Sequence, residues 1–202
     1  MKVKKRKTKK NNFSLYMGIF ITFLMVTSIF GVTFYGFRNP GMTERYNGYR
    51  FTATQFGFEA RIDGDRYVFE VLPLETELID IDSEVLPFIR NSFGIIITSN
   101  HTSEYSQDIA LQKFHLNNLF DNYNKPVTNA FNTPNVLLPY ISCNESTSDF
   151  PVIEFIENDN ATFIEFDECI KIHFRSSYDL RRATGRIMFE YLGVIDATKI
   201  NQ

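Results

Sequence analysis

The chain has 202 residues, with 21 Lys and Arg against 24 Asp and Glu, a formal net charge of −3. That near-balance hides a division, because seven of the basic residues fall in the first ten positions, where no acid stands, and the remainder is strongly acidic. An acidic remainder argues against nucleic acid or an anionic surface as its partner.

The leader carries Lys2, Lys4, Lys5, Arg6, Lys7, Lys9 and Lys10. Directly behind it, Phe13 to Phe37 contains no charged residue. At about 1.5 Å per residue this stretch reaches roughly 37 Å, against roughly 30 Å of bilayer hydrocarbon. The expectation is a basic cytoplasmic leader over 1–12 and a transmembrane helix over 13–37. The stretch is too long for the apolar region of a signal peptide and lacks a small-x-small exit, so it reads as an uncleaved anchor. Arg38 and Arg45 are the only basic residues in the dozen positions beyond it. The charge excess therefore puts the N-terminus in the cytoplasm and the C-terminal domain outside the cell membrane. Tyr16 and Tyr35 suit the headgroup layers, and Thr27 and Gly31 make a small-xxx-small pair of the kind that seats a second helix.

Residues 38–47 read as a stalk and 48–202 as one external α+β domain. Its first signal is a hairpin: Phe56, Phe58, Ala60 and Ile62 alternate with polar residues, Asp63-Gly64 turns the chain, and Tyr67, Phe69 and Val71 alternate again. SEVLPFIRNS reads as a short helix broken near Pro87, and GIIIT (94–98) as a strand buried on both faces. SQDIALQKFHLNNLF reads as a helix with a broad apolar stripe and Ser106 as its N-cap. Residues 121–150 are rich in Asn, Pro and Ser and read as a long loop holding one short strand, VLLPYI. PVIEFIE, ATFIEF and CIKIHF read as a three-stranded meander. A last helix follows, with Leu180, Ala183, Ile187, Met188, Tyr191 and Leu192 on its apolar face and Arg181, Arg182, Arg186 and Glu190 opposite. Ser177 reads as its cap and Gly193 as its C′ residue. The order strand, short polar connection, helix occurs twice, at GIIIT and at CIKIHF, which suggests a duplicated unit. The expected architecture is a mostly antiparallel sheet covered on one face by two main helices.

Chemistry is sparse. Two cysteines, Cys143 and Cys169, in an exported domain read as one disulfide. Asn100, Asn144 and Asn160 open Asn-x-Ser/Thr sequons, candidates for glycosylation. His101, His115 and His173 have no nucleophile or metal ligand at a recognisable spacing. There is no CxxC, no HxxxH, no GxSxG, no Gly-rich phosphate loop and no dinucleotide fingerprint, so no catalytic, metal or cofactor residue is assigned. Asp80, Asp82 and Glu84, and Glu157, Asp159 and Asn160, lack EF-hand spacing and read as solvated turn carboxylates. Glu165, Asp167, Lys171 and His173 share one face of the final strands if the pleat runs unbroken, with a turn or bulge at Glu168.

The segments YNGYRF, GFEARIDGDRYVFEVLP, LPYISCNES, FPVIEF, DECIKI and FEYLGVI resemble small single-pass membrane proteins of small-genome archaea that have no assigned activity. The resemblance implies an archaeal surface or membrane setting, in which the sequons become relevant. The expected function is an anchored extracellular module that binds another protein and has no catalytic role. The alternatives are an accessory subunit of a transport or secretion complex and, behind it, an ectoenzyme.

Overall fold

A computed structural model describes residues 16–18, 20–27, 42–134 and 137–196. Two units divide at Met42 and Thr43. In the first, residues 16–18 and 20–27 are helical with exposed side chains. The Thr22 and Thr27 hydroxyls donate to the carbonyls of Gly18 (3.0 Å) and Phe23 (2.9 Å), so neither polar group is left open. Among the described residues, no helix is long and apolar enough to cross a membrane. The leader, the remaining positions of the expected span, Gly31 and Tyr35 included, and residues 38–41 of the expected stalk lie outside the described residues.

The second unit begins with an antiparallel meander of β1 (Thr43–Tyr46), β2 (Tyr49–Thr54), β3 (Gly57–Ile62) and β4 (Asp65–Phe69). The β3–β4 hairpin turns at Asp63-Gly64 as expected, with φ of 53° and 99°. Positive φ at both central residues matches the twist of the strands it joins. Asn47-Gly48 repeats the device, with φ of 44° and 86°. Its hairpin recruits Thr43–Tyr46 into β1, so four residues expected in the stalk belong to the sheet. Phe56 sits in the tight turn before β3 and is 75% exposed, one residue outside the alternating pattern. Gly57 is obligatory there, because a Cβ would lie 2.2 Å from the Phe69 carbonyl oxygen.

Three short elements follow: α1 (Pro73–Thr76), β5 (Asp80–Ile81) and α2 (Val85–Asn91). Pro87 does not break α2. It falls in the first turn, where a backbone N–H has no intrahelical partner to lose. Then come β6 (Ile95–Ser99), α3 (Ser106–Asn122), β7 (Val127–Asn129), β8 (Val152–Glu157), β9 (Phe163–Asp167), β10 (Cys169–Phe174) and α4 (Ser177–Tyr191). Residues 137–141 of VLLPYI form no strand; Tyr140 makes only an isolated bridge to Phe131.

The second sheet has the order β5-β9-β10-β8-β6-β7. Here the antiparallel expectation gives way. β7, β6, β8 and β10 are mutually parallel, and β9 pairs with β10 antiparallel. The last three strands are not a meander, since β10 inserts between β8 and β9. Alternation identifies strands but not their neighbours.

The two strand–helix units do share a sheet, and α3 and α4 pack against each other. Ile153, Phe155, Ile170, Ile172 and Phe174 of the large sheet join the core with Ile109, Leu116, Leu180 and Ile187 of the helices. The meander contributes Phe51 and Phe69, whose rings lie 5.9 and 4.5 Å from Phe189 of α4. Helix α4 thus lies between two sheets. Its apolar face is buried as expected, yet Arg186 and Glu190 are also only 4% exposed. The expectation of a solvated opposite face assumed that the sheet alone covers the helix; the segment from α1 to α2 closes over this side, with the Glu77 carbonyl 3.3 Å from Arg186 and Arg90 donating to the Glu190 carbonyl at 2.9 Å. The helix cap is Ser176, which accepts from the Asp179 N–H at 3.2 Å, rather than Ser177, and Gly193 takes the C′ position with φ of 70°. In α3, Tyr105 is the N-cap and Ser106 the first helical residue.

Candidate functional site

Parallel strands end on one side of a sheet, and open α/β sheets place ligands outside those carboxyl ends, near the point where connections reverse. Here the chain leaves β6 through α3 to β7, then returns across β6 to β8. Beyond the ends of β6 and β7 lies a pocket of about 420 Å³, within the range of small-molecule sites. Ser99, Asn100 and His101 continue from β6, Asn129 ends β7, and Phe131 follows it. Helix α3 forms the wall with Ser106, Ile109, Ala110, Lys113, Phe114 and Asn117, one face through more than three turns.

Lys113 is the unusual member. It is 7% exposed. Its ammonium donates to the Ala130 carbonyl at 2.9 Å and lies 5.3 Å from the Phe131 ring centre. Among the described residues no carboxylate stands within ion-pair reach of it. Burial lowers its pKa to about 8. His101 lies at the same pocket, its Nδ1 2.6 Å from the Thr133 hydroxyl and its ring 5.4 Å from Phe131. Sequence reasoning missed this site, although one signal was present. Lys113 falls in line with Ile109, Leu116 and Phe120, so it interrupts the apolar stripe of α3.

A polar row occupies the face of the large sheet opposite the helices. Its members are Glu154, Lys171, Glu165, Asp167 and His173. The register pairs Lys171 with both Glu154 and Glu165. Lys171 reaches Asp167 at 2.7 Å and Glu165 at 3.9 Å, and the Asp167 hydrogen bond raises its pKa. His173 bonds Glu165 at 2.9 Å and stacks on Phe163 at 4.3 Å. The shared face expected from the alternation is therefore present, with Glu168 at φ 57° in the turn. Each charge in the row has an opposite neighbour.

Cys143 and Cys169 stand at disulfide distance, with Cα atoms 5.3 Å apart. A Glu154 oxygen lies 2.8 Å from the Cys143 sulfur. These three residues are the one set of metal-ligand atoms that converge among the described residues. In the bonded state the sulfurs offer no thiolate to an ion. The acidic groups at 80–84 and 157–160 do not converge in this way. Asp82 instead accepts the Phe166 N–H at 2.8 Å. Asn144 and Asn160 are exposed, whereas Asn100 is half-buried at the pocket, its Oδ1 accepting from the Thr102 N–H and hydroxyl at 2.9 and 2.8 Å. His115 lies 3.8 Å from Glu70, and burial lowers its pKa.

A second cavity, about 710 Å³, opens beside α4 and is lined by Glu77, Asp80, Asp82, Arg90, Arg186 and Glu190 among others. Arg186 pairs with Glu190 at 2.5 Å and donates to the Glu77 carbonyl at 3.3 Å. Burial raises the Glu190 pKa against the pull of Arg186. Comparison of the chain with protein-family models, with curated proteins and with solved structures returns no match.

Proposed function

We propose that the chain is a membrane-anchored external module that binds another protein at the cell surface or envelope and has no catalytic role. Residues 13–37 span the bilayer, residues 1–12 stay in the cytoplasm, and the domain from Thr43 onward stands outside. The observation that carries this reading is the charge division: seven basic residues, then twenty-five positions without a charge, then an acidic fold. Three features support an external setting. The cysteines are placed for a bridge, Asn144 and Asn160 are open to a glycan, and the resemblance set out above is to archaeal membrane proteins. Crosslinking in intact cells followed by mass spectrometry identifies the partner. Recovery of a stable set of integral membrane proteins in mild detergent favours the accessory-subunit reading instead. An external protease trims a C-terminal tag on intact cells and spares the leader; protection of that tag refutes the topology. Denaturing alkylation before reduction leaves both cysteines unlabelled, and two labelled thiols refute the bridge.

An ectoenzyme is the second reading. It is favoured by one observation, the meeting of His101 with a buried amine of lowered pKa in a single pocket. Its test is turnover of a substrate that is lost in a His101→Ala variant with unchanged unfolding temperature.

A further inference from the structure

We infer that the pocket at the carboxyl ends of β6 and β7 binds a small organic monocarboxylate with an apolar, preferably aromatic, body, and that Lys113 supplies the counter-charge. The inference concerns a small ligand and does not depend on the membrane anchor or on the protein partner.

The starting point is an imbalance. Lysine is almost never fully buried unless paired, because an ammonium taken out of water loses more than one hydrogen bond restores. Lys113 is buried, holds one carbonyl, and has no carboxylate at ion-pair distance among the described residues. Lys171, in the same domain, has Asp167 and Glu165. An ammonium carries three protons, and the Ala130 carbonyl takes one. The other two have no hydrogen-bond partner among the described residues, and Lys113 lines a cavity large enough for a ring and a short chain. Among the described residues no acidic side chain lines that cavity.

The rest of the lining selects the ligand's other features. Among the described residues Lys113 is the only Lys or Arg on the wall, so the site balances a single negative charge. Phosphate recognition draws on clustered or bidentate arginine donors, and none is present here. Ile109, Ala110, Phe114, Phe131 and Leu138 give the lining an apolar part that includes two aromatic residues, beside a polar part made by Ser99, Asn100, His101, Ser106, Asn117 and Asn129. The positive end of α3, at Ser106, borders the same space and acts in the same direction as the ammonium.

Phenylacetate, its neutral isostere phenylacetamide, and phenyl phosphate serve as probes. They are titrated calorimetrically into the full chain in detergent micelles and into the Lys113→Met and Lys113→Gln variants, each first shown by thermal unfolding to be folded. Wild type binds phenylacetate about tenfold or more tightly than the amide, as expected where a buried polar group is left unpaired by the wrong ligand. Both variants lose that preference, and any residual binding of the two probes becomes equal. Equal affinity of acid and amide for wild type overturns the inference, as does a preference that survives in either variant, or absence of binding by all three probes. Tighter binding of phenyl phosphate than of phenylacetate overturns the single-charge assignment.

Discussion

Arg186 and Lys113 are both cations buried on helices of the same domain, and the fold treats them in opposite ways. Arg186, in the helix between the two sheets, meets Glu190 one turn on and the Glu77 carbonyl. Lys113, on the helix beside it, meets one carbonyl and a ring face. The first arrangement gives the buried cation a counter-ion, which a structural ion pair needs to offset its desolvation, although the Arg186 Nε holds no hydrogen bond. The second leaves a charge facing a cavity. The difference teaches that burial alone does not mark a functional group; burial without a counter-charge does.

That contrast has a scale of consequences. Removing the Arg186 counter-ion has the largest. Glu190→Ala leaves a buried guanidinium uncompensated and lowers stability by about 3–5 kcal/mol in urea unfolding. Replacing both partners by apolar residues of similar size, Arg186→Met with Glu190→Leu, is neutral or stabilising. A small loss in the single variant would place the pair in solvent and dissolve the contrast. Ile187→Ala, on the same helix, costs about 2–4 kcal/mol and gauges what an apolar truncation is worth there. Arg186→Ala is also costly, because it strands Glu190.

Lys113→Met has the opposite sign. In the folded chain the amine titrates near 8, below its ordinary 10.5, because burial disfavours the charge. Between those values the unfolded chain holds the extra proton, so wild-type stability rises with pH. Below pH 8 both states are protonated and the penalty is constant. Lys113→Met is therefore more stable than wild type at pH 7, and the gap narrows by about 2 kcal/mol between pH 8 and 10. Above that window tyrosines intervene, since Tyr46 and Tyr123 are pushed up to about 12, chiefly by burial. A gap that does not change between pH 8 and 10 would show the amine to be paired or solvated. The smallest effect belongs to an exposed cation: Arg175→Ala breaks its 3.2 Å contact with Asp179 and costs about 0.5 kcal/mol.

Legibility followed the range of the interactions. The Asp63-Gly64 hairpin, the β6 strand, the spacing of α4 and the common face of Glu165, Asp167, Lys171 and His173 were readable, because each depends on residues a few positions apart. Asn47-Gly48 carried the same signal as Asp63-Gly64, but the short flanking strand hid its use. The insertion of β10 between β8 and β9, the parallel pairing of β6 with β8, and the second cover over α4 were not readable. Each is decided by a partner far along the chain, and periodicity carries no information about partners. The polar side of α4 was misread for that reason. The pocket is similar: its walls come from two strand ends, a loop and a helix, and only the misplaced lysine in the stripe of α3 hinted at it.

The position of β10 also sets an order of assembly. The large sheet has an empty slot between β8 and β9 until Cys169–Phe174 arrives, and the helix that both sheets pack against, Ser177–Tyr191, comes later still. A chain emerging from its N-terminus therefore carries a meander with an uncovered apolar face and strands whose edges await a neighbour, conditions under which chains aggregate or are held by chaperones. Neither layer reaches its final packing until Ser177–Tyr191 has joined. A segment far along the chain therefore decides when both layers lock.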